Sequence, residues 1–419
     1  MPHAPFLPSS LAVALLLLSG TCAAQDLAIV GARVFPAPDA APIADATIWI
    51  RDGRVAAVGP RGQVKLPKGV QVIDGTTQVV TAGFWNSHVH LMSPPFHQPD
   101  GQEAAVLEKA LHDRFGQWGF TTLFDIGSLP GDVGALRARM VRGDVQGPRL
   151  LTVDMPFYPE HGTPIYVRDL WEQTRTRSAE VATPAQARER ADAQLDAGAD
   201  GVKVFTGAIV GGAQGVLPMR VEVARAAVDA AHAHARPAFA HPTNMAGLEV
   251  ALASGVDVLA HTAPDAGPWS AALVARLKAD DVALVPTLSL FDAHLRQEGV
   301  PDAVVQRFVG NAQQQVGAMV AGGGQVLFGT DAGYTEVYDT RLEYRLMAGA
   351  GMDWRQILAS LTTAPAQRFG ESARRGRVAE GMVADLVMLG SDPQQSVEAF
   401  ADVRMTVRDG KVIHARSVP

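Results

Sequence analysis

The stretch Gly83-Phe84-Trp85-Asn86-Ser87-His88-Val89-His90 decides the reading of the fold. It begins apolar and ends on two imidazoles two positions apart. In an extended strand, residues i and i+2 project to one side, so His88 and His90 face the same space. The chain carries its own control. His232-Ala233-His234 repeats the spacing inside a predicted helix. There i and i+2 diverge by about 200°, so those two rings cannot grip one ion. They are read as solvated or locally hydrogen-bonded.

Working outward, further apolar runs predict strands over residues 121–125, 149–153, 201–205, 237–241, 256–261, 283–287 and 326–331. Alanine-rich stretches between them predict helices over 184–198, 218–235, 271–280 and 301–322. Pro184, Pro218 and Pro301 suit first-turn positions, where a missing N–H costs nothing. Strand-then-helix units repeated across residues 83–370 predict an α/β fold, a (β/α)8 TIM-type barrel. A doubly wound open sheet is the rival, but no Gly-rich nucleotide loop follows the first strand. The connections 154–183 and 332–351 are too long for plain loops and follow strand C-termini, where barrel sites lie.

The flanks read as short strands. Ile50-Arg51-Asp52-Gly53-Arg54-Val55 is echoed by Val407-Arg408-Asp409-Gly410-Lys411-Val412, and Asp-Gly is a strong hairpin signal. Neither flank alone can bury a core. Residues 25–82 and 371–419 are therefore expected to meet in one small β-sandwich domain beside a barrel domain of residues 83–370.

The chain has 419 residues, 47% hydrophobic and 19% charged, which suits a large packed core. The net charge is −7 and no Lys/Arg block stands out, which argues against nucleic acid and anionic membrane surfaces as partners. The single cysteine, Cys22, excludes an intrachain disulfide and a cysteine-rich metal site. Residues 1–24 read as an export signal peptide: an apolar run from Leu11 to Leu18, then Cys22-Ala23-Ala24 before Gln25. Cleavage after Ala24 is expected, giving a periplasmic or secreted protein with no further stretch of membrane-spanning length. Lipidation of Cys22 is the alternative, and Thr21 fits it poorly.

Other strand ends carry groups that are costly to bury unless paired or metal-bound: Lys203, His241, His261, and Asp331 in Gly329-Thr330-Asp331-Ala332-Gly333. Each alone has a bland explanation, such as a capping Asp or a hydrogen-bonded His. Together with His88 and His90 they converge on one face. The long connections supply His161, Tyr166, Tyr334 and Arg341 as substrate-binding candidates.

These stretches, with Gly198-Ala199-Asp200-Gly201-Val202-Lys203, Ala240-His241-Pro242, Leu259-Ala260-His261-Thr262, Thr363-Ala364-Pro365-Ala366 and the run from Gly376 to Val387, resemble the amidohydrolase superfamily, close to its imidazolonepropionase-like and prolidase-like members. The resemblance covers residues 26–415. It implies that His88 and His90 bind a first divalent ion, with Asp331 as its further ligand, and that His241 and His261 bind a second. It implies a CO2-derived carbamate on Lys203 bridging the two ions, and Asp331 as general base and acid toward a metal-bridging hydroxide. Zinc suits these N and O ligands, and manganese or iron also fit by ligand type. The implied activity is hydrolysis of an amide or peptide bond in a small substrate, a dipeptide or N-acyl amino acid. The alternatives are a mononuclear cyclic-amide hydrolase or deaminase, and a catalytically inactive binding or assembly relative. All six ligand positions are filled, which argues against the last. Pro242-Thr243-Asn244 departs from the family's usual sequence after the fifth-strand histidine and leaves the substrate unnamed. Homo-oligomerisation is left open.

Overall fold

The computed structural model describes residues 26–177 and 179–416. The expected signal segment and Cys22 lie outside the described residues. Among the described residues, no helix is long and apolar enough to cross a membrane.

The two flanks do pair. Strands Leu27–Val34, Ile43–Arg51, Arg54–Pro60, Gln71–Asp74 and Val79–Ala82 join Leu386–Leu389, Val403–Arg408 and Lys411–Ala415 in one eight-stranded mixed sheet. Val79–Ala82 is the hinge of this arrangement. It pairs parallel with Leu27–Val34 and antiparallel with Leu386–Leu389. The result is one continuous sheet rather than two separate ones. It bends back on itself: Arg54 bridges Val383, and the Val55 N–H donates to Met382 O at 2.9 Å. Ile29, Ile48, Val80, Leu386 and Val407 are buried between its faces.

The echoed Asp-Gly motifs make the same turn. Both residues of each pair have positive φ (Asp52 51°, Gly53 73°; Asp409 49°, Gly410 75°), as the two-residue hairpin turn requires. The two turns also touch. A Cβ on Gly410 would lie 2.8 Å from the Gly53 Cα, so a side chain there is excluded by contact as well as by conformation.

The middle of the chain alternates as expected. Phe84–Val89, Phe120–Asp125 and Arg149–Thr152 form one parallel sheet, and Val202–Val204, Ala238–Ala240, Val258–Ala260 and Ala283–Val285 another. Residues 326–331 do not form a regular ladder. Instead Val326 makes an isolated parallel bridge to Leu284, Ala332 bridges Val89, and the Ser87 N–H donates to Phe328 O at 2.8 Å. The ladder is interrupted where the Phe328 N–H donates out of it, to Ser360 O at 3.0 Å, and Asp331 at the end of the segment is left-handed (φ 58°). At the other seam, Phe157 bridges Val204 in parallel and the Asp200 N–H donates to Thr152 O. Trp85, Phe124, Phe239, Val258, Ala283 and Leu327 pack together within the strands.

Helices follow the strands: Ala104–Arg114, Asp132–Arg142, Pro184–Asp196, Val221–Ala233, Met245–Ser254, Ala271–Ala279, Leu288–Gln297, Asp302–Ala321, Arg341–Gly349 and Trp354–Leu361. Pro184 opens its helix, with the Thr183 hydroxyl accepting from the Gln186 N–H. Pro218 does not open a helix. It ends a hairpin, Gly207–Gly211 with Gly215–Pro218, and the helix starts later at Val221. Pro301 precedes the first helical residue, Asp302. The long connection after the third strand contains a helix of its own, Ile165–Gln173.

Candidate active site

The six expected side chains arrive from five segments, His88 and His90 from the same one. His88 is fully buried on the first middle strand. Its carbonyl accepts the Asp331 N–H at 2.9 Å, so strand one carries the residue opposite it. Gly329 permits the approach, since a Cβ there would sit 2.8 Å from the His88 Cβ. Asn86 locks the same junction by donating to Thr330 Oγ1 at 2.8 Å. The His90 Nδ1 faces Gly127 O, which fixes the ring with Nε2 inward.

Lys203 is 1% exposed on Val202–Val204. His241 follows Ala238–Ala240, and its ring stacks on Phe205 with centroids 4.4 Å apart and planes 14° apart. His261 has φ 94°, an unusual backbone conformation for a residue other than glycine. Its Nδ1 lies 2.8 Å from Thr287 Oγ1, leaving Nε2 free to turn inward. The His241 and His261 rings are 4.7 Å apart, and those of His88 and His261 4.5 Å.

At the centre, polar atoms converge without bonding one another well. His88 Nε2 lies 3.3 Å from His90 Nε2 and 3.3 Å from Asp331 Oδ1; His90 Nε2 lies 2.9 Å from Asp331 Oδ1. His261 Nε2 is 3.6 Å from Asp331 Oδ2, and Lys203 Nζ is 3.5 Å from His88 Nε2. Yet Asp331 Oδ1, His88 Nδ1 and His241 Nδ1 are buried with no hydrogen-bond partner. Donor atoms held about 2.0–2.1 Å from a tetrahedral ion stand roughly 3.3 Å from each other. The spacing of His88, His90 and Asp331 is that of ligands around a cation. His88, His261 and Asp331 likewise place their ligand atoms within 4.8 Å of one another. The residues present therefore fit a divalent metal.

Electrostatics agree. Burial pushes the His88 imidazole down to about 3, and the His241 and His261 imidazoles well below the usual range, with neighbouring positive groups adding to the effect. Neutral imidazoles with inward lone pairs are metal ligands, not ion-pair partners. Burial lowers the Lys203 amine to about 8, against the opposing pull of Asp331 and Asp125. A share of that amine is therefore unprotonated near neutral pH.

The site opens into a cavity of ≈ 270 Å³. Tyr166 and Tyr334 line it, with ring centroids 5.2 Å apart. His161 and Arg341 are not among its lining residues. The His161 N–H donates to Glu180 at 3.0 Å at an exposed turn, and Arg341 pairs with Asp339 at 2.6 Å over the Trp118 ring. Sequence reasoning passed over Phe205, Phe291 and His294, which line the cavity, because apolar and isolated aromatic residues carry no motif. It also passed over Asp125, buried at a strand end. Its carboxylate accepts the Leu91 N–H at 2.7 Å and the Ser128 hydroxyl, and so braces the loop carrying His90. An acid closing the apolar run 120–125 was the available signal.

The helical pair His232 and His234 behaves as its spacing dictates. His232 Nε2 faces Asp257 at 2.9 Å and His234 Nε2 faces Asp192 at 3.3 Å, on different sides.

Residues 79–413 match the amidohydrolase family, and the chain belongs to it. It is thereby a metal-dependent hydrolase of C–N bonds, with a His/His/Asp site in place. The chain is similar over 94% of its length to a putative prolidase from Bifidobacterium longum, whose chain is 97% covered, with 24% identity and a TM-score of 0.78. It is also similar to a Xaa-Pro dipeptidase solved with bound methionine, at 18% identity, covering 93% of this chain and 99% of that one, with a TM-score of 0.78. Among curated proteins, adenine deaminase 2 from Bradyrhizobium sp. (strain ORS 278) is 34% identical over 116 residues, which is 26% of this chain and 18% of that protein.

Proposed function

We propose that this protein is an exported hydrolase with two divalent metal ions that cleaves an amide or peptide bond in a small substrate. The supporting observation is the convergence of His88, His90, Lys203, His261 and Asp331 within contact of one another, with His241 alongside. The two parallel sheets, joined at both seams by backbone bridges, support a closed (β/α)8 barrel of residues 83–370. Residues 25–82 and 371–419 then make the companion sandwich. Export rests on the N-terminal sequence alone.

On this reading His88, His90 and Asp331 would hold one ion, His241 and His261 the other, and a carbamate on Lys203 would supply an anionic oxygen ligand. An ammonium cannot bind a cation. A neutral Lys203 nitrogen that adds to the carbon of CO2 and loses one proton becomes an anionic oxygen ligand, and the lowered amine favours that addition. Bound divalent ions would supply Lewis acidity, lowering the pKa of water and polarising a carbonyl. Asp331 takes a proton from the attacking water and returns it to the leaving nitrogen. Asp331 is buried, which shields that exchange from bulk water. Tyr166 and Tyr334 reach toward the bound substrate.

A single-metal reading has two observations in its favour: the tight His88, His261 and Asp331 triad, and the local likeness to a deaminase. A hydrolysis screen tests the proposal. Metal-replete protein is offered dipeptides, N-acyl amino acids, their uncharged amide counterparts and a lactone. Turnover of an amide that disappears in Asp331→Asn supports it. Release of ammonia from an amino-purine with no amide cleavage would favour the second reading.

A further inference from the structure

The walls of the cavity carry information that the metal ligands do not. Trp171, Phe205, Ile209, Leu290, Phe291 and Phe308 are among the residues that line it. The rings run on from the site itself. Phe205 stacks on His241, and Phe291 lies 6.3 Å from the His261 ring and 5.6 Å from Phe308. The lining therefore offers flat apolar faces directly beside the proposed ligands.

Charge is distributed unevenly. Among the described residues lining the cavity there is no arginine, and the one lysine is Lys203, buried among the imidazoles. The remaining basic group outside the proposed ligands is His294, an imidazole against the Tyr334 ring at 5.5 Å. At the mouth stands an acid, the exposed Asp265. A substrate carboxylate held away from the proposed ions would lose its water and meet no arginine and no lysine other than Lys203 among the described lining residues, which is unfavourable. Tyr166 and Tyr334 can hydrogen-bond a carbonyl or amide without demanding charge.

We propose that the preferred substrate is an uncharged amide bearing an aromatic or bulky aliphatic group, and that a free carboxylate next to the scissile bond is selected against. This rests on the hydrolase reading and narrows it: N-acyl amino acids and free dipeptides become the poorer substrates.

The test uses a pair that differs in one charge, N-benzoylglycinamide and N-benzoylglycine, with the metal-replete full chain. The assay is run at pH 8. The expected result is a kcat/KM for the glycinamide higher by about tenfold or more, and tighter binding by calorimetry in the same order. Phe308→Arg, which brings a cation to a partly exposed wall position, should narrow or reverse the preference. Equal or better use of the carboxylate overturns the substrate class and leaves the hydrolase standing. Turnover of neither amide counts against the hydrolase reading, and calorimetry then still decides the class. Binding of neither, or tighter binding of the carboxylate, overturns it.

Discussion

Lys203 Nζ lies 3.5 Å from His88 Nε2, and both side chains are buried. They come from strands in two different parallel sheets. Among the described residues no carboxylate forms a salt bridge with Lys203, and an unpaired buried ammonium is costly, which supports the proposed carbamate. Lys203→Ala should roughly halve bound metal and lower kcat by at least about a hundredfold. Millimolar short carboxylic acids should restore part of the rate, because they supply the missing anionic oxygen. Lys203→Arg should not be rescued. Elemental analysis and steady-state rates check this, and full metal content in Lys203→Ala would contradict it.

Thr287 sets the His261 ring through the 2.8 Å contact between Oγ1 and Nδ1. Outer partners of this kind fix which imidazole nitrogen is free for the ion. Thr287→Val should weaken metal binding about 10- to 100-fold in chelator competition, and Thr287→Ser should retain it. Unchanged metal affinity in Thr287→Val would remove the positioning role.

Glu343 gives a pH signature. It is fully buried, and its carboxyl accepts the backbone N–H groups of Leu288 at 3.0 Å and Ser289 at 2.6 Å. Burial pushes it from the ordinary 4.5 up to about 7. The folded state thus holds the proton more tightly than the unfolded chain. Its contribution to stability is complete below about pH 4.5 and is lost as pH rises through 7. Glu343→Gln cannot titrate. The Tm advantage of the wild type over Glu343→Gln should therefore shrink from pH 5 to pH 8. An advantage that grows over that interval would contradict the assignment.

Arg375 gathers three acids of the C-terminal flank. It pairs with Asp385, lies 3.3 Å from Asp409 and 3.7 Å from Glu371, and is only 10% exposed. Arg375→Met leaves the buried Asp385 without its cation. Breaking such a pair costs about 3–5 kcal/mol. A large fall in Tm with unchanged metal content per folded chain is expected. Little change in Tm would show the network to be dispensable.

Much of this was readable from the residues. The strand-end groups announced themselves because a charged or metal-binding side chain closing an apolar run has few reasons to be there. His88 and His90 shared a face by the two-residue strand period, and His232 and His234 diverged by the helical one. Pro218 misled, because proline also suits the end of a hairpin strand, and only pairing with Gly207 distinguishes the two. Residues 326–331 promised a full strand, but the Phe328 N–H donates to Ser360 O, outside the ladder, a long-range contact that no local pattern encodes. His161 and Arg341 were chosen for lying on long connections; which side of a loop faces the cavity depends on packing of Ile165–Gln173 and Arg341–Gly349, and no local pattern encodes it. The apolar cavity wall was silent for the same reason. Phe205, Phe291 and Phe308 look like any core residues until the fold brings them together.

The most direct test of the account is the number of divalent ions held per folded chain after loading with zinc in the presence of bicarbonate. Two ions per chain, falling to one in His241→Ala, is the result that six converging side chains predict. A saturating content of one ion in the wild type, unchanged by His241→Ala, would contradict the paired site on which the proposed chemistry depends.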